Sequence, residues 1–205
     1  MSQDGHIITI EGIDAVGKHT QTLLLEAWLK KSGQKTVTLS FPDYSTQIGK
    51  EIRAFLSGKR DFPRQLQHML FAANRWEKAP IINRQRSMGK TVIINRYSES
   101  NIVYGAANGL SIEWLMALEQ GLPRSDAVVV LDAPALGLAS RRRRMPDSYE
   151  KNLMLQERAR ELYRRLAQRF GWNIINATGD REVVHKSIVE VLEQRVNLGA
   201  RTKRH

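Results

Sequence analysis

"GIDAVGKHT" occupies residues 12–20 and spells G-x-x-x-x-G-K from Gly12 through Gly17 to Lys18, a phosphate-binding loop in every position but one. A hydroxyl residue normally follows the lysine; here His19 stands there and the hydroxyl comes one place late, at Thr20. Context makes the short pattern specific. The apolar run "HIITIEG" leads into the loop and the stretch "LLLEAWLKK" follows it, so the loop joins a first strand to a first helix. Glycines let the backbone fold tightly round a phosphate, successive N–H groups point inward, and the helix N-terminus adds partial positive charge. Gly12, Ile13, Asp14, Ala15, Val16, Gly17, Lys18, His19 and Thr20 are therefore the expected cradle of a nucleoside triphosphate, with the Lys18 ammonium on the outer phosphates.

Outward from the loop, short β-branched runs alternate with helical stretches. The expected strands are "HIITIEG", "KTVTLSF", "TVIINR", "AVVVLDA" and "WNIINA". Most are apolar almost throughout, as in strands buried on both faces. The first helix runs from Gly17 to a stop at Gly33, and others cover "RQLQHMLFAANRWEKA", which Pro80 should end or kink, "YEKNLMLQERARELYRRLAQRF" and "REVVHKSIVEVLEQRV". The pattern predicts an α/β fold: a doubly wound, parallel five-stranded sheet flanked by helices, in one domain over residues 1–205. "RRRRMPDSYEK" falls between two helices and predicts a small basic lid at about 141–150, and a basic tail follows at about 198–205.

Among 205 residues 41% are hydrophobic, enough for one substantial core. Cysteine is absent, which excludes disulfides, thiolate metal sites and cysteine nucleophiles. Neither a secretory leader nor an 18-residue apolar span is present, so a cytoplasmic protein without membrane attachment is expected. The net charge of +11 is local: without the seven charges of Arg141–Arg144 and the terminal "RTKRH", 25 basic residues face 21 acids. No recognition-helix or RNA-binding signature accompanies the clusters, so nucleic acid is not an expected partner.

Five further stretches, "FPDYSTQIGK", "FAANRWE", "NRYSESNIVYG", "GLPRSDAVVVLD" and "DSYE", fall in an order and spacing that resembles the thymidylate (dTMP) kinases, a branch of the P-loop nucleoside-monophosphate kinases. The resemblance covers nearly the whole chain. It implies an enzyme that phosphorylates dTMP to dTDP with ATP and Mg²⁺, in dTTP biosynthesis, and works as a homodimer packed about the third helical segment. Asp14 would accept from the sugar 3′-hydroxyl. Phe71 would stack on thymine, with Arg75 one turn later on the same helix face at its carbonyl edge. Arg96, at the C-terminal end of a central strand, would grip the acceptor phosphate with a guanidinium fork. Ser100, Asn101 and Tyr104 would complete the base and sugar contacts, Tyr104 crowding the 2′ position. Tyr44, Asp147 and Tyr149 would add further acceptor-site and lid contacts. The phosphate loop carries no arginine, so catalytic arginines would come from the lid, represented by Arg142 and Arg143.

Two positions depart from the family's pattern, and both bear on magnesium. His19 replaces the hydroxyl, and Asn95 stands where an Asp usually precedes Arg-Tyr. The metal would then be held through Thr20 or Asn95 and water, or chiefly by the nucleotide. A kinase of another deoxynucleotide or of a deoxynucleoside, and a nucleotide-binding homologue with impaired catalysis, are the alternative readings.

Overall fold

The computed structural model describes residues 5–141 and 147–196. Arg142 and Arg143, the middle of the expected lid and the basic tail lie outside them.

Five parallel strands form one sheet: β1 (Ile7–Gly12), β2 (Thr36–Ser40), β3 (Thr91–Asn95), β4 (Ala127–Asp132) and β5 (Asn173–Asn176), in the order β2-β3-β1-β4-β5. All five expected strands are present, trimmed by a residue or so at their ends. β1 is buried along its whole length and lies between β3 and β4. From β1 the chain crosses to one side of the sheet and later, from β3, to the other. The crevice beyond the carboxyl end of β1 is thus the topological switch point, where open α/β sheets take their ligands.

The loop after β1 opens α1 (Lys18–Lys31), which buries Lys18, Gln21, Thr22, Leu25 and Leu29, a stripe at helical spacing. Gly33 follows the helix at φ 75°, the left-handed geometry that glycine adopts freely. The helices α2 (Gln47–Leu56), α3 (Arg64–Trp76), α4 (Ala79–Ser87), α5 (Ser98–Ala107) and α6 (Ile112–Glu119) follow. Beyond β4 come a 3-10 turn (Ala135–Arg141), α7 (Ser148–Lys151), α8 (Leu153–Phe170) and α9 (Arg181–Val196).

One expected helix ends just short of the proline that should stop it, and another is divided where the sequence predicts a single helix. α3 stops at Trp76 and Pro80 sits in the first turn of a new helix, α4, where a missing N–H costs nothing. α7 and α8 are separated at Asn152, whose side chain accepts from Leu155 N at 2.9 Å and caps α8. Among the described residues no helix is long and apolar enough to cross a membrane.

The "FPDYSTQIGK" and "FAANRWE" stretches prove to be one structural unit. Asn74 is 1% exposed and clamps the loop between β2 and α2: its Oδ1 accepts from Asp43 N at 2.7 Å, and its Nδ2 donates to Asp43 O and Thr46 Oγ1. Thr46 caps α2 by accepting from Gly49 N at 3.0 Å. A Cβ on Gly49 would stand 1.8 Å from Asp43 O, so only glycine lets the loop turn this closely onto the helix.

Candidate active site

A cleft of about 880 Å³ lies across the carboxyl ends of the strands. Asp14, Ala15, Val16, Gly17, Lys18, His19 and Thr20 form one wall. Gly12 and Ile13 belong to the loop but do not line the cleft. Gly12 has φ 130°, and a Cβ there would stand 2.5 Å from Leu131 O, so glycine is needed where the loop leaves β1. Gly17, at φ 108°, turns the chain into α1. Lys18 Nζ donates to the carbonyls of Gly12 at 3.0 Å and Ile13 at 2.6 Å, folding the side chain over its own loop.

Among the described residues two non-glycine positions hold left-handed backbone, Ala15 at φ 62° and Arg96 at φ 63°, and both line the cleft. Such conformations cost roughly 1–3 kcal/mol and persist where the surroundings over-determine them. For Arg96 those surroundings are visible. Its backbone N donates to Ile10 O at 3.1 Å, its Nη1 to Ser100 Oγ at 3.1 Å and its Nη2 to Asp14 Oδ1, while its guanidinium lies 5.3 Å from the centre of the Tyr104 ring. Ser100 is held in turn by Glu11, a fully buried carboxylate at the end of β1. Glu11 accepts from Ser100 Oγ at 2.6 Å, Tyr163 OH at 2.7 Å and the backbone N of Tyr97 at 2.7 Å.

Asp14 thus faces Arg96 across the cleft floor. Its Oδ2 accepts from Gln156 Nε2 at 2.7 Å, and the Tyr104 hydroxyl donates to Gln156 Oε1 at 3.1 Å. Burial alone would raise the Asp14 carboxyl, but the Arg96 and Lys18 charges and the hydrogen bonds outweigh it and hold the group below its ordinary value. The same pairing drives the Arg96 guanidinium further toward the charged form against its burial. This half-buried pair links the phosphate loop to the end of β3.

Further along the cleft stand Tyr44, Phe71, Arg75, Asn95, Asn101, Asp147 and Tyr149. Phe71 meets Tyr149 edge-on at 6.2 Å, and Phe55 packs edge-on against both rings at similar distance, which fixes the two cleft-lining rings in place. Tyr149 reaches Gln67 Oε1 at 2.8 Å and so ties α7 to α3; Asp147 Oδ1 accepts from Tyr149 N at 3.0 Å. Arg53 lies over the Tyr44 ring at 4.6 Å. Arg75 is 3% exposed and forms a two-point ion pair with Glu119 of α6, through Nε at 2.9 Å and through Nη2. Asn101 is similarly committed, its Nδ2 donating to Glu119 Oε1 at 2.6 Å and to His68 O at 3.2 Å, and its Oδ1 paired with His68 Nδ1 at 2.7 Å.

Among the described residues no group of three or more His, Cys, Asp or Glu could hold a metal ion. The oxygens on offer suit a metal carried mainly by phosphates and water. Thr20 is exposed beside the loop, and Asn95 Oδ1 is buried with no hydrogen-bond partner, a neutral acceptor that fits a water bound to a hard cation.

Several residues that build the site carry no motif. Glu11, Tyr163, Gln156 and Glu119 support the site from behind. His68 lines it directly, as do Gly179, Asp180, Arg181 and Glu182, which bound the end of the cleft where Gln21 Nε2 donates to Arg181 O at 2.8 Å. The position of "ATGD" immediately after the fifth strand was the available signal for this last group, because ligands gather at strand carboxyl ends.

A glycine loop running into a helix N-terminus at the switch point of a five-stranded parallel sheet is the architecture of a P-loop nucleotide kinase. The sequence profile of the family described as thymidylate kinase matches residues 10–188. A human thymidylate kinase is 35% identical over 90% of this chain and 88% of its own, and a probable thymidylate kinase of Thermococcus gammatolerans is 36% identical over 95% and 99%. The solved thymidylate kinase of Candida albicans superposes with a TM-score of 0.83 at 28% identity, covering 95% of this chain and 94% of that one. The chain belongs to the thymidylate kinase family.

Proposed function

We propose that this protein transfers the γ-phosphoryl group of ATP to dTMP, giving ADP and dTDP, with Mg²⁺ required. The observation that carries the reading is the Asp14–Arg96 pair, which sets an anion-gripping guanidinium and a hydroxyl-accepting carboxylate beside the phosphate loop in one cleft.

The donor triphosphate would lie against the loop N–H groups and the N-terminus of α1, with Lys18 turning from its loop carbonyls toward the outer phosphates. Adenine would extend toward Gly179–Glu182. Arg96 would hold the acceptor phosphate, its strained backbone and Ser100–Glu11 support fixing the guanidinium before the substrate arrives. Asp14 would accept from the sugar 3′-hydroxyl. Tyr104, buried against Gln156, would close the space beside the 2′ carbon and favour deoxyribose. Phe71 would stack on the base, and Arg75 Nη1, the guanidinium nitrogen left over from Glu119, would donate to a base carbonyl. The attacking oxygen is a phosphate oxygen already ionised at neutral pH, so no general base is needed and catalysis rests on alignment and charge neutralisation. Bound Mg²⁺ would offset negative charge on the triphosphate, and Asn95 Oδ1 and Thr20 would help hold it through water.

The homodimer belongs to the same reading. Leu66, Met69 and Trp76 are 39–43% exposed along one face of α3, and Met116 of the adjoining α6 is 38% exposed. A second copy packing on this stripe would cover it, and Met69→Glu is expected to lower the mass measured by analytical ultracentrifugation to that of a monomer. A cytoplasmic location fits an enzyme supplied by soluble nucleotides.

An acceptor panel of dTMP, dUMP, dCMP and thymidine with ATP tests the substrate. The reading expects dTMP to be preferred and thymidine, which has no phosphate for Arg96, to be inert. Preference for a nucleoside would favour the deoxynucleoside-kinase alternative instead.

A further inference from the structure

His68 is fully buried on α3, one turn before Phe71, with its ring 5.7 Å from that ring, and it lines the same end of the cleft as Arg75 and Asn101. Its tautomer follows from its neighbours. Asn101 Nδ2 faces two groups that only accept, Glu119 Oε1 and the His68 carbonyl, so the oxygen of that amide faces His68 Nδ1. Nδ1 must therefore carry the proton and donate. Burial, with the Arg75 charge adding to it, pushes the imidazole down to about 4, so the ring is neutral. What remains is Nε2, a lone-pair acceptor, buried and without a partner.

An unpaired buried acceptor is destabilising, which asks for a donor that arrives with the ligand. The two residues whose polar groups otherwise face the base, Arg75 and Asn101, are largely committed to Glu119 and to each other's neighbours. Asn101 has no amide hydrogen to spare, and its oxygen already accepts from Nδ1 with one of its two lone pairs. Asn101 is thus partly engaged already, whereas His68 Nε2 has no partner at all and is the stronger candidate to read the base.

We infer that His68 Nε2 accepts the N3–H of an imide base, making His68 the residue by which this kinase selects thymine or uracil over cytosine; the inference rests on the proposed dTMP kinase activity. An imide edge presents carbonyl, N–H, carbonyl. Arg75 Nη1 donates to the C4 carbonyl and His68 accepts the N3–H. Cytosine would set its N3 lone pair against the His68 lone pair and its amino group against the guanidinium, a mismatch at both positions. The 5-methyl group plays no part, so His68 does not distinguish dTMP from dUMP.

His68→Asn tests this. Its amide nitrogen can replace Nδ1 as donor to Asn101, while nothing replaces Nε2. The expected result is a fall in kcat/KM for dTMP of about 10- to 100-fold, mainly through KM, with an equal fall for dUMP and none for dCMP. A loss shared equally by all three acceptors would overturn the inference, since a structural role would produce it. The wild-type protein supplies an independent reading in histidine-¹⁵N spectra. The Nε2 resonance of His68 is expected to move upfield on adding dTMP or dUMP and to stay put with 3-methyl-dTMP, which has no N3–H. An unmoved resonance with saturating dTMP overturns the inference while leaving the kinase activity standing. Failure of the wild type to bind dTMP at all overturns both.

Discussion

Replacing Glu119 by leucine removes the anion that pairs, among the described residues, with a guanidinium whose side chain is 4% exposed. The Glu119 side chain is itself 5% exposed and takes three hydrogen bonds, two from Arg75 and one from Asn101. Breaking a buried pair from one side leaves the remaining charge desolvated and unpaired, at about 3–5 kcal/mol. With a urea slope of roughly 2–3 kcal/mol per molar for a chain of this size, the midpoint should fall by about 1–2 M. The double variant Arg75→Met/Glu119→Leu separates charge from packing. It removes both ions, so stability should return to within about 1–2 kcal/mol of wild type, the residue being the Asn101 amide that loses its acceptor. The KM for dTMP should stay raised in the double variant, because the proposed carbonyl contact of Arg75 is not restored. Equilibrium urea unfolding by circular dichroism, with a steady-state assay on the same samples, measures both. A single variant costing less than about 1 kcal/mol, or a double variant as unstable as the single, would refute the reasoning.

Asn95→Asp returns a charge next to the phosphate loop and should lower the half-saturating Mg²⁺ concentration roughly tenfold, both in turnover and in calorimetric binding of ATP. Unchanged metal dependence would show that Asn95 Oδ1 does not face the ion. Glu99 of α5 is 8% exposed, and burial, followed by the Glu11 and Glu119 charges, pushes its carboxyl from 4.5 up to about 8. The folded protein then holds a proton that the unfolded chain has released, so this group's contribution is complete below about pH 4.5 and lost as pH rises through about 8. Glu99→Gln should flatten that decline and be more stable than wild type at pH 8, measured as urea stability against pH; a parallel wild-type and variant profile would contradict it.

How much of this could be read from the sequence depends on whether the signal is local. The loop at 12–20 and the five apolar runs mark the switch point directly, because tight turns need glycine and doubly covered strands need unbroken apolar runs. The division at Asn152 was hidden, since "YEKNLMLQ" keeps a helical composition across the break and only the Asn152 cap reveals it. In the site, Asp14, Arg96 and Tyr104 stand in recognisable stretches and come together in the cleft. Their supports do not. Glu11 reads as one acid in a strand, and its contacts with Ser100 and Tyr163 lie 89 and 152 residues away. Glu119 is equally anonymous until the fold places it under Arg75 and Asn101. The Asn101 contacts also change its meaning: an amide that looks free to read a base in the sequence has both its hydrogens and part of its oxygen engaged in the structure, and the acceptor with no partner belongs to His68.

The most direct measurement follows the γ-phosphoryl group itself. Purified protein is incubated with γ-labelled ATP and dTMP while Mg²⁺ is raised from micromolar to tens of millimolar, and the labelled products are separated. Label in dTDP, with one ADP formed for each, is the expected result, and would make "GIDAVGKHT" a working loop in which His19 is tolerated. Binding of both nucleotides with label remaining in ATP, or appearing only as free phosphate, would contradict it.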